Sequence, residues 1–113
     1  MILYLPIEAV QSTLTAVAEL AAPNSTVIAS YAVPDDLMEP ASCEFADVGR
    51  AWTAQAGEPQ ITWPAPAEIE PIAKAAGWSS AHSVDPASFE PWFANRPDGL
   101  EPVRYEWLLV AEV

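Results

Sequence analysis

The strongest constraint on the fold is a strand–helix–strand pattern in the first 33 residues. Ile2 to Leu5 is a short apolar run closed by a proline, which favours a strand buried on both faces. Thr26 to Val33 is rich in β-branched and aromatic residues and also stops at a proline. Between them, residues 7 to 22 have the apolar spacing of an amphipathic helix, carried by Val10, Leu14, Val17 and Leu20. Together these segments predict a right-handed βαβ unit with a parallel sheet.

The remaining two thirds of the chain predict further helices and strands. Phe45, Val48, Trp52 and Ala56 fall on one face of a helix, and a second helix has Ile69, Ile72, Ala73 and Ala76 inward, with Gly77 as its carboxyl cap. Asp85 and Pro86 predict the cap and first residue of a short helix that reaches about Phe93. Trp78 to Val84 and Tyr105 to Val113 are predicted strands, and we expect them to form an antiparallel hairpin.

Size and charge bound the function. The chain has 113 residues, of which 51% are hydrophobic and 18% charged, so we expect one folded domain over residues 1–113. Sixteen acidic residues against four basic ones give a formal net charge of -12, which argues against nucleic acid and anionic membranes as partners. The acidity fits either simple solubility or a basic protein partner.

The amino terminus and the cysteine content indicate a compartment. The apolar run from Met1 to Leu5 carries no basic residue and is too short for a signal peptide or a membrane span. Cys43 is the only cysteine, so the chain cannot form an internal disulfide. Both features predict a cytoplasmic protein.

Chemically reactive groups are sparse in the sequence. The four glycines stand alone, so there is no glycine-rich turn of the kind that grips a nucleotide-like cofactor. His82 is the sole histidine and has no well-placed serine partner, and Cys43 has no basic neighbour. The acidic residues between Asp35 and Glu44 lack the spacing of a calcium loop. We therefore assign no nucleophile and no metal site, and the five tryptophans are predicted to fill the core.

Several stretches resemble one enzyme family in order and spacing. The first is Tyr4-Leu5-Pro6-Ile7-Glu8-Ala9-Val10 and the second is Ala21-Ala22-Pro23-Asn24-Ser25. Gly57-Glu58-Pro59, Ala67-Glu68-Ile69 and Ala75-Ala76-Gly77-Trp78 follow. The last are Trp92-Phe93-Ala94-Asn95-Arg96-Pro97-Asp98-Gly99-Leu100 and Leu108-Leu109-Val110-Ala111. The chain thus resembles the carboxyl-terminal half of leucine carboxyl methyltransferase-like proteins, which depend on S-adenosylmethionine (SAM).

The resemblance implies a fold, a cofactor and a set of contacts. The fold is α/β, the carboxyl-terminal half of a doubly wound Rossmann-like SAM methyltransferase sheet, in which this chain supplies strands 4 to 7 and the last two strands form an antiparallel hairpin. The implied reaction is methyl transfer from SAM to a carboxylate or small-molecule oxygen. Tyr4, Leu5 and Pro6 would then contact SAM, while Tyr31 and Arg96 would contact the methyl acceptor. Structural packing is the alternative role for Tyr4 and Tyr31.

Two classes of function stay open. The first is a methyltransferase portion that is inactive alone, because the half that would hold most of SAM is missing. The edge of its first predicted strand, Ile2 to Leu5, would then be unpaired, which predicts self-association or pairing with that half. The second is a non-catalytic acidic module that binds or regulates another protein.

Overall fold

The sheet has three strands, and the last strand in the chain lies at its centre. This computed structural model describes residues 2–113; Met1, the first residue of the apolar opening run, lies outside the described residues. The strands are β1 (Thr26–Ala32), β2 (Ser80–Val84) and β3 (Glu106–Glu112), in the order β1-β3-β2. β3 is antiparallel to both neighbours, so β1 and β2 run in the same direction without pairing with each other. The antiparallel pairing predicted for the last two strands is confirmed.

Among residues 2–113, four helices accompany the sheet: α1 (Ile7–Leu20), α2 (Pro40–Gln55), α3 (Pro66–Ala75) and α4 (Glu90–Phe93). All four lie where the sequence predicts helix, and short 3₁₀ turns occupy Asp35–Leu37 and Pro86–Phe89. The side chain of Asp85 accepts a hydrogen bond from the Ala87 amide at 2.8 Å, as expected of an N-cap. Gly77 follows α3 with a φ of +106°, a left-handed conformation that glycine adopts without a Cβ clash. The protein is therefore a mixed α/β fold.

The strand predicted at Ile2 to Leu5 is wrong. Residues Ile2–Tyr4 form a 3₁₀ turn, which the Leu5 amide closes by donating to the Ile2 carbonyl at 3.0 Å. The Leu3 carbonyl instead accepts hydrogen bonds from the Ile61 and Thr62 amides at 2.7 and 3.2 Å. A strand needs a neighbouring strand to bond its backbone, and among the described residues this segment lies beside β1 without joining its hydrogen-bond ladder. Without it, the predicted parallel βαβ unit does not form.

The core lies on one face of the sheet. Odd-numbered strand residues such as Leu109 and Ala111 point to the face covered by α1 and α3, whose Leu14 and Ile69 are buried against them. Trp78 is buried as well, and its indole N–H donates to the Leu14 carbonyl at 3.1 Å. The opposite face carries even-numbered residues and is open over much of its area. Ile28, for example, is 63% exposed.

Two predicted apolar faces are only partly used or not used at all. On α1, the first two apolar positions are buried, but Val17 and Leu20 are exposed. On α2, Phe45, Val48 and Trp52 all face solvent. The core role predicted for the tryptophans holds for Trp78 and is wrong for Trp52 and Trp92, which are exposed, while Trp63 and Trp107 are half-buried.

Candidate functional site

The stretch predicted to contact SAM borders a cleft. The amides of Ile61 and Thr62 hydrogen bond to Leu3, and the Thr62 hydroxyl donates to the Leu5 carbonyl, so the chain around residues 60–64 runs alongside the first turn. Between this segment and the start of α1 and α3 lies a cavity of about 520 Å³. Its lining is mainly apolar and consists of Pro6, Ile7, Ile61, Thr62, Trp63, Pro64, Glu68 and Ile72. We call it the Pro6 cleft.

The polar side chains of Thr62 and Glu68 in the Pro6 cleft already have partners within the protein. A Glu68 carboxylate oxygen accepts the Ala65 amide at 2.8 Å, which satisfies one of the free N–H groups at the start of α3. The Thr62 hydroxyl is bound to Leu5, and Thr62 itself is buried. The cleft therefore offers an apolar wall suited to a flat or aliphatic group.

An arginine holds one side of this wall in place. The Arg50 guanidinium lies 3.9 Å from the centre of the Trp63 ring, and it also bonds the carboxylates of Asp35 and Asp47. The ring of Tyr105 packs against Trp63 from another side, with 6.4 Å between ring centres. The hydrogen bond from Arg50 lowers the pKa of Asp35 below its usual value. This ion pair and cation–π contact link α2 to the segment that forms the cleft.

The three residues predicted to bind the cofactor point in different directions. Pro6 lines the Pro6 cleft. Tyr4 is 41% exposed and lines a neighbouring cavity of about 470 Å³ together with Gly57, Glu58, Pro59 and Ile61. Leu5 packs against the core. Ile61 lies between the two cavities, so Tyr4 and Pro6 open onto adjoining clefts while Leu5 has a packing role.

Tyr31 lies in the core and is only 1% exposed. Its hydroxyl donates to the Ser83 hydroxyl on β2 at 2.8 Å, across the central strand, and the Ser83 amide donates to the Glu70 carboxylate at 2.9 Å. Burial raises the pKa of Tyr31 above its usual value, with a smaller contribution from the negative charge of Glu70. This placement favours the structural role that the sequence also allowed, and contact with a methyl acceptor stays a prediction.

Arg96 lies in the exposed loop between α4 and β3. Its guanidinium forms a two-pronged pair with Asp98, whose carboxylate also accepts the Leu100 amide at 3.2 Å. The hydrogen bonds from Arg96 and Leu100 lower the pKa of Asp98. Because Asp98 already neutralises Arg96, an anionic acceptor would have to compete with it. The hydrogen bonds of Arg96 do not join it to Tyr31 or to the Tyr4–Pro6 stretch.

The two candidate nucleophiles considered from the sequence remain without activating partners among residues 2–113. His82 is exposed on the open face of the sheet. The Cys43 thiol lies 3.6 Å from the Asp35 carbonyl oxygen, which is an acceptor rather than a base that would draw off the proton. Over the same residues, no group of three or more histidine, cysteine, aspartate or glutamate side chains is arranged to hold a metal ion.

Sequence reasoning missed the contribution of Trp63 and Arg50 to the Pro6 cleft. It also missed a third cavity, of about 550 Å³, bordered by α2 and by the loop that leads into β3. Neither follows from local pattern, because the contributing segments are far apart in the chain. The one sequence feature that could have indicated the third cavity is the regular apolar spacing on α2. This spacing predicts an apolar helix face but does not predict which segment lies against it.

Comparison of the chain with protein-family models, with curated proteins and with solved structures gives no match. Among the helices of residues 2–113, none combines the length and the apolar character that crossing a membrane would require.

Proposed function

We propose that this chain is the carboxyl-terminal portion of a SAM-dependent O-methyltransferase of the leucine carboxyl methyltransferase type. The proposed reaction transfers a methyl group to a carboxylate or small-molecule oxygen, and the chain is inactive without the missing half. The observation that carries this proposal is the strand arrangement. β3, the last strand, is antiparallel to β2, as expected for the last two strands of that fold, and it leaves β1 and β2 running in the same direction.

The unpaired edge of β1 supports a role as part of a larger sheet. The Val33 amide donates to the Tyr105 carbonyl and the Val113 amide to the Ser25 carbonyl, so the odd-numbered residues of β1 direct their backbone groups toward β3. The backbone groups of Thr26, Ile28, Ser30 and Ala32 therefore point to the outer edge, where residues 2–113 provide no backbone partner. Such an edge favours pairing with another strand.

The shape and the exposed apolar residues point the same way. The radius of gyration is 15.3 Å, whereas a compact domain of this length has about 13 Å. Ile28 on the open sheet face is 63% exposed. Further protein packed on this face would bury it, and we propose that it is either the missing half or a second copy.

The residues present fit only one side of a SAM site. The Pro6 cleft supplies an apolar wall, with Tyr4 in the adjoining cleft, but the chain has no glycine-rich turn to approach the cofactor closely. SAM carries the reactive methyl group on its sulfonium, so the protein needs to position the acceptor oxygen more than to supply a nucleophile. A chain without an activated cysteine or histidine is compatible with that chemistry.

Calorimetric titration with SAM tests the proposal. Loss of most cofactor contacts removes several kcal/mol, and each ~1.4 kcal/mol weakens affinity tenfold, so a cofactor bound at about micromolar Kd by a complete enzyme should bind this chain beyond millimolar. Tight one-to-one binding by the chain alone would show that the cofactor site is misplaced.

Complementation provides the second arm. A polypeptide that carries the remaining strands and the glycine turn of such a methyltransferase should recover SAM binding when it is mixed with this chain. Tyr4→Ala should weaken the recovered binding, whereas Leu100→Ala, at an exposed apolar position in the distant loop before β3, should not. If the two polypeptides associate and no SAM binding returns, the methyltransferase assignment is wrong.

Sedimentation separates the two candidates for the β1 edge. If the chain self-associates at high concentration and the complementing polypeptide abolishes this self-association, then the second copy and the complementing polypeptide bind the same edge of β1. A monomer with full cooperative unfolding would contradict the expectation of an edge that needs a partner.

A further inference from the structure

Helix α2 is oriented with its apolar side toward solvent. Phe45, Val48 and Trp52 occupy positions i, i+3 and i+7 of the helix and are 67%, 66% and 78% exposed. We call these three residues the α2 ridge. Seven residues of helix rise about 10 Å, so the ridge forms a continuous apolar strip two turns long. An amphipathic helix normally buries such a strip, and an exposed one marks an interaction surface.

The inward face of α2 explains why the helix holds this orientation. It carries small and polar residues: Ala46 is buried, and a Cβ added at Gly49 would lie 3.9 Å from the Gln60 side chain. Arg50 anchors the same face through Asp35 and through the ring of Trp63. These contacts would be lost if the helix rolled over to bury the ridge, because Arg50 would then leave its carboxylate and its aromatic partner.

An acidic cavity adjoins one end of the ridge. The lining of this cavity, whose volume is about 550 Å³, includes Phe45, Val103 and Tyr105 together with three glutamates, Glu39, Glu90 and Glu101. Arg104 is the one basic residue of the lining, and it is paired with Glu90. Glu39 and Glu101 therefore leave this cavity with a net negative charge beside an apolar strip. We call it the acidic cleft.

We propose that the α2 ridge and the acidic cleft together form a docking surface for a cationic amphipathic segment of a partner protein. Apolar side chains of the partner would pack on Val48 and Trp52, and its lysine or arginine side chains would face Glu39 and Glu101. Helical segments bind grooves of this kind through anchors spaced at i, i+3, i+4 and i+7, which matches the length of the ridge. The residues that line this surface are different from those that line the Pro6 cleft.

Charge decides between a partner protein and a second copy of the chain. In a symmetric dimer formed through this surface, the same patch would meet itself, and its carboxylates would face each other. Each chain also carries a formal net charge of -12, which adds long-range repulsion. A basic partner gains from the same charges, both in association rate and in specificity.

A pair of synthetic helical peptides tests the proposal with the full chain. Both peptides carry leucine at i, i+3, i+4 and i+7; one carries lysine and the other glutamate at the remaining positions. We expect the lysine peptide to bind at least tenfold more tightly in calorimetric titration, and its affinity to fall as salt is raised. Equal binding of the two peptides, or no binding of the lysine peptide, would overturn the proposal.

Matched variants locate the binding surface. Trp52→Ser should weaken lysine-peptide binding at least tenfold. Leu20→Ser changes an exposed apolar residue at the end of α1 and should leave this binding unchanged. Since both side chains are exposed, neither change should unfold the protein, which thermal denaturation would verify. An equal loss from both variants would indicate nonspecific hydrophobic contact and would contradict the assignment.

A second pair of variants separates local charge from bulk charge. Glu39→Gln combined with Glu101→Gln removes two charges at the acidic cleft, and Glu8→Gln combined with Glu19→Gln removes two on the exposed side of α1. Only the first pair should weaken binding severalfold. If both pairs act equally, net charge alone is responsible and the docking surface is refuted. A dimer in sedimentation that Trp52→Ser disrupts would refute it as well, because the occupant would then be a second copy.

Discussion

Tyr31 joins two strands that do not pair through their backbones, and its side-chain hydrogen bond leads to a specific prediction. Its hydroxyl reaches Ser83 on β2 over the central strand β3, at 2.8 Å, from a residue that is 1% exposed. Tyr31→Phe removes that hydroxyl and keeps the ring, so it creates no large cavity. We therefore expect the change to report the hydrogen bond almost alone.

The expected loss is modest because Ser83 is only partly buried. A typical intramolecular hydrogen bond contributes about 0.5–1.5 kcal/mol net, and a partner that water can still reach places the value near 1 kcal/mol. For a chain of this size that loss lowers the Tm by about 4 °C. Ser83→Ala should cost a similar amount, because its backbone bond to Glu70 does not involve the hydroxyl.

Urea denaturation of the two single variants and the double variant measures the coupling. If one hydrogen bond joins the two side chains, the double variant should be more stable than the sum of the single losses predicts, by about 1 kcal/mol. Additive losses, or a Tyr31→Phe variant as stable as the parent, would refute a structural role for this hydroxyl. Contact with the methyl acceptor, which the family resemblance implies for Tyr31, would then be the remaining explanation for a tyrosine at this position.

The pH dependence gives an independent check on the same residue. Burial raises the pKa of Tyr31 in the folded state, whereas the unfolded value is about 10. The protonated form is thus favoured by folding, and its contribution is complete below about pH 10 and is lost as the pH rises through the folded pKa. As the pH rises from 8 to 11, the free energy of unfolding of Tyr31→Phe should fall less than that of the parent. Equal decreases would argue against burial of Tyr31 as the cause of its raised pKa.

Two further changes test the backbone and the α2 ion pair. Gly77→Ala should destabilise the fold by about 1–2 kcal/mol because its φ of +106° strains any side chain, although the added Cβ would meet Ala18 at an ordinary 3.6 Å. Gly49→Ala is the control within α2 and should be neutral or stabilising in the same thermal denaturation assay; equal losses would contradict the conformational explanation. Asp35→Asn should cost about 0.5–1 kcal/mol at pH 7, a surface-pair value chosen because the Asp35 side chain is 58% exposed. Since Arg50 lowers the pKa of Asp35, this contribution is present above about pH 4 and is lost as the pH falls through the folded pKa, so urea midpoints of parent and variant should converge near pH 2; a constant difference would show that the carboxylate charge is not responsible.

Local pattern was sufficient to place most elements of the fold. The breakers that flank α1 and β1, the capping residues Asp85 and Gly77, and the β-branched strand residues act over a few positions, so a single sequence reveals them. Most boundaries differ from the prediction by one or two residues, as in the observed strand Thr26–Ala32 against the predicted Thr26 to Val33, but α2 begins several residues before its predicted apolar face and α4 begins four residues after Pro86. Such shifts are expected where chain ends fray.

The wrong predictions share one cause: an apolar pattern in one segment does not specify which other segment packs against it. The apolar run Ile2 to Leu5 has the composition of a strand, but its backbone bonds to residues 61 and 62 instead of to a neighbouring strand. The α2 ridge has the spacing of a buried helix face, yet Arg50 and Gly49 on the other side are the residues that dock. Amphipathic spacing shows that a helix has an apolar face, and tertiary packing decides whether that face is buried or exposed to solvent.

Sequence by itself determined the positions of α1 to α4, the strands β1, β2 and β3, and the acidic composition, because each depends on residue identity or on neighbours within one or two turns. Tertiary structure alone decided the β1-β3-β2 order, the Tyr31–Ser83 bond between residues 52 positions apart, and the Arg50–Trp63 wall of the Pro6 cleft. Those features require segments distant in the chain to meet, and their contacts form only when burial of the shared core offsets the entropy of closing the loops between them.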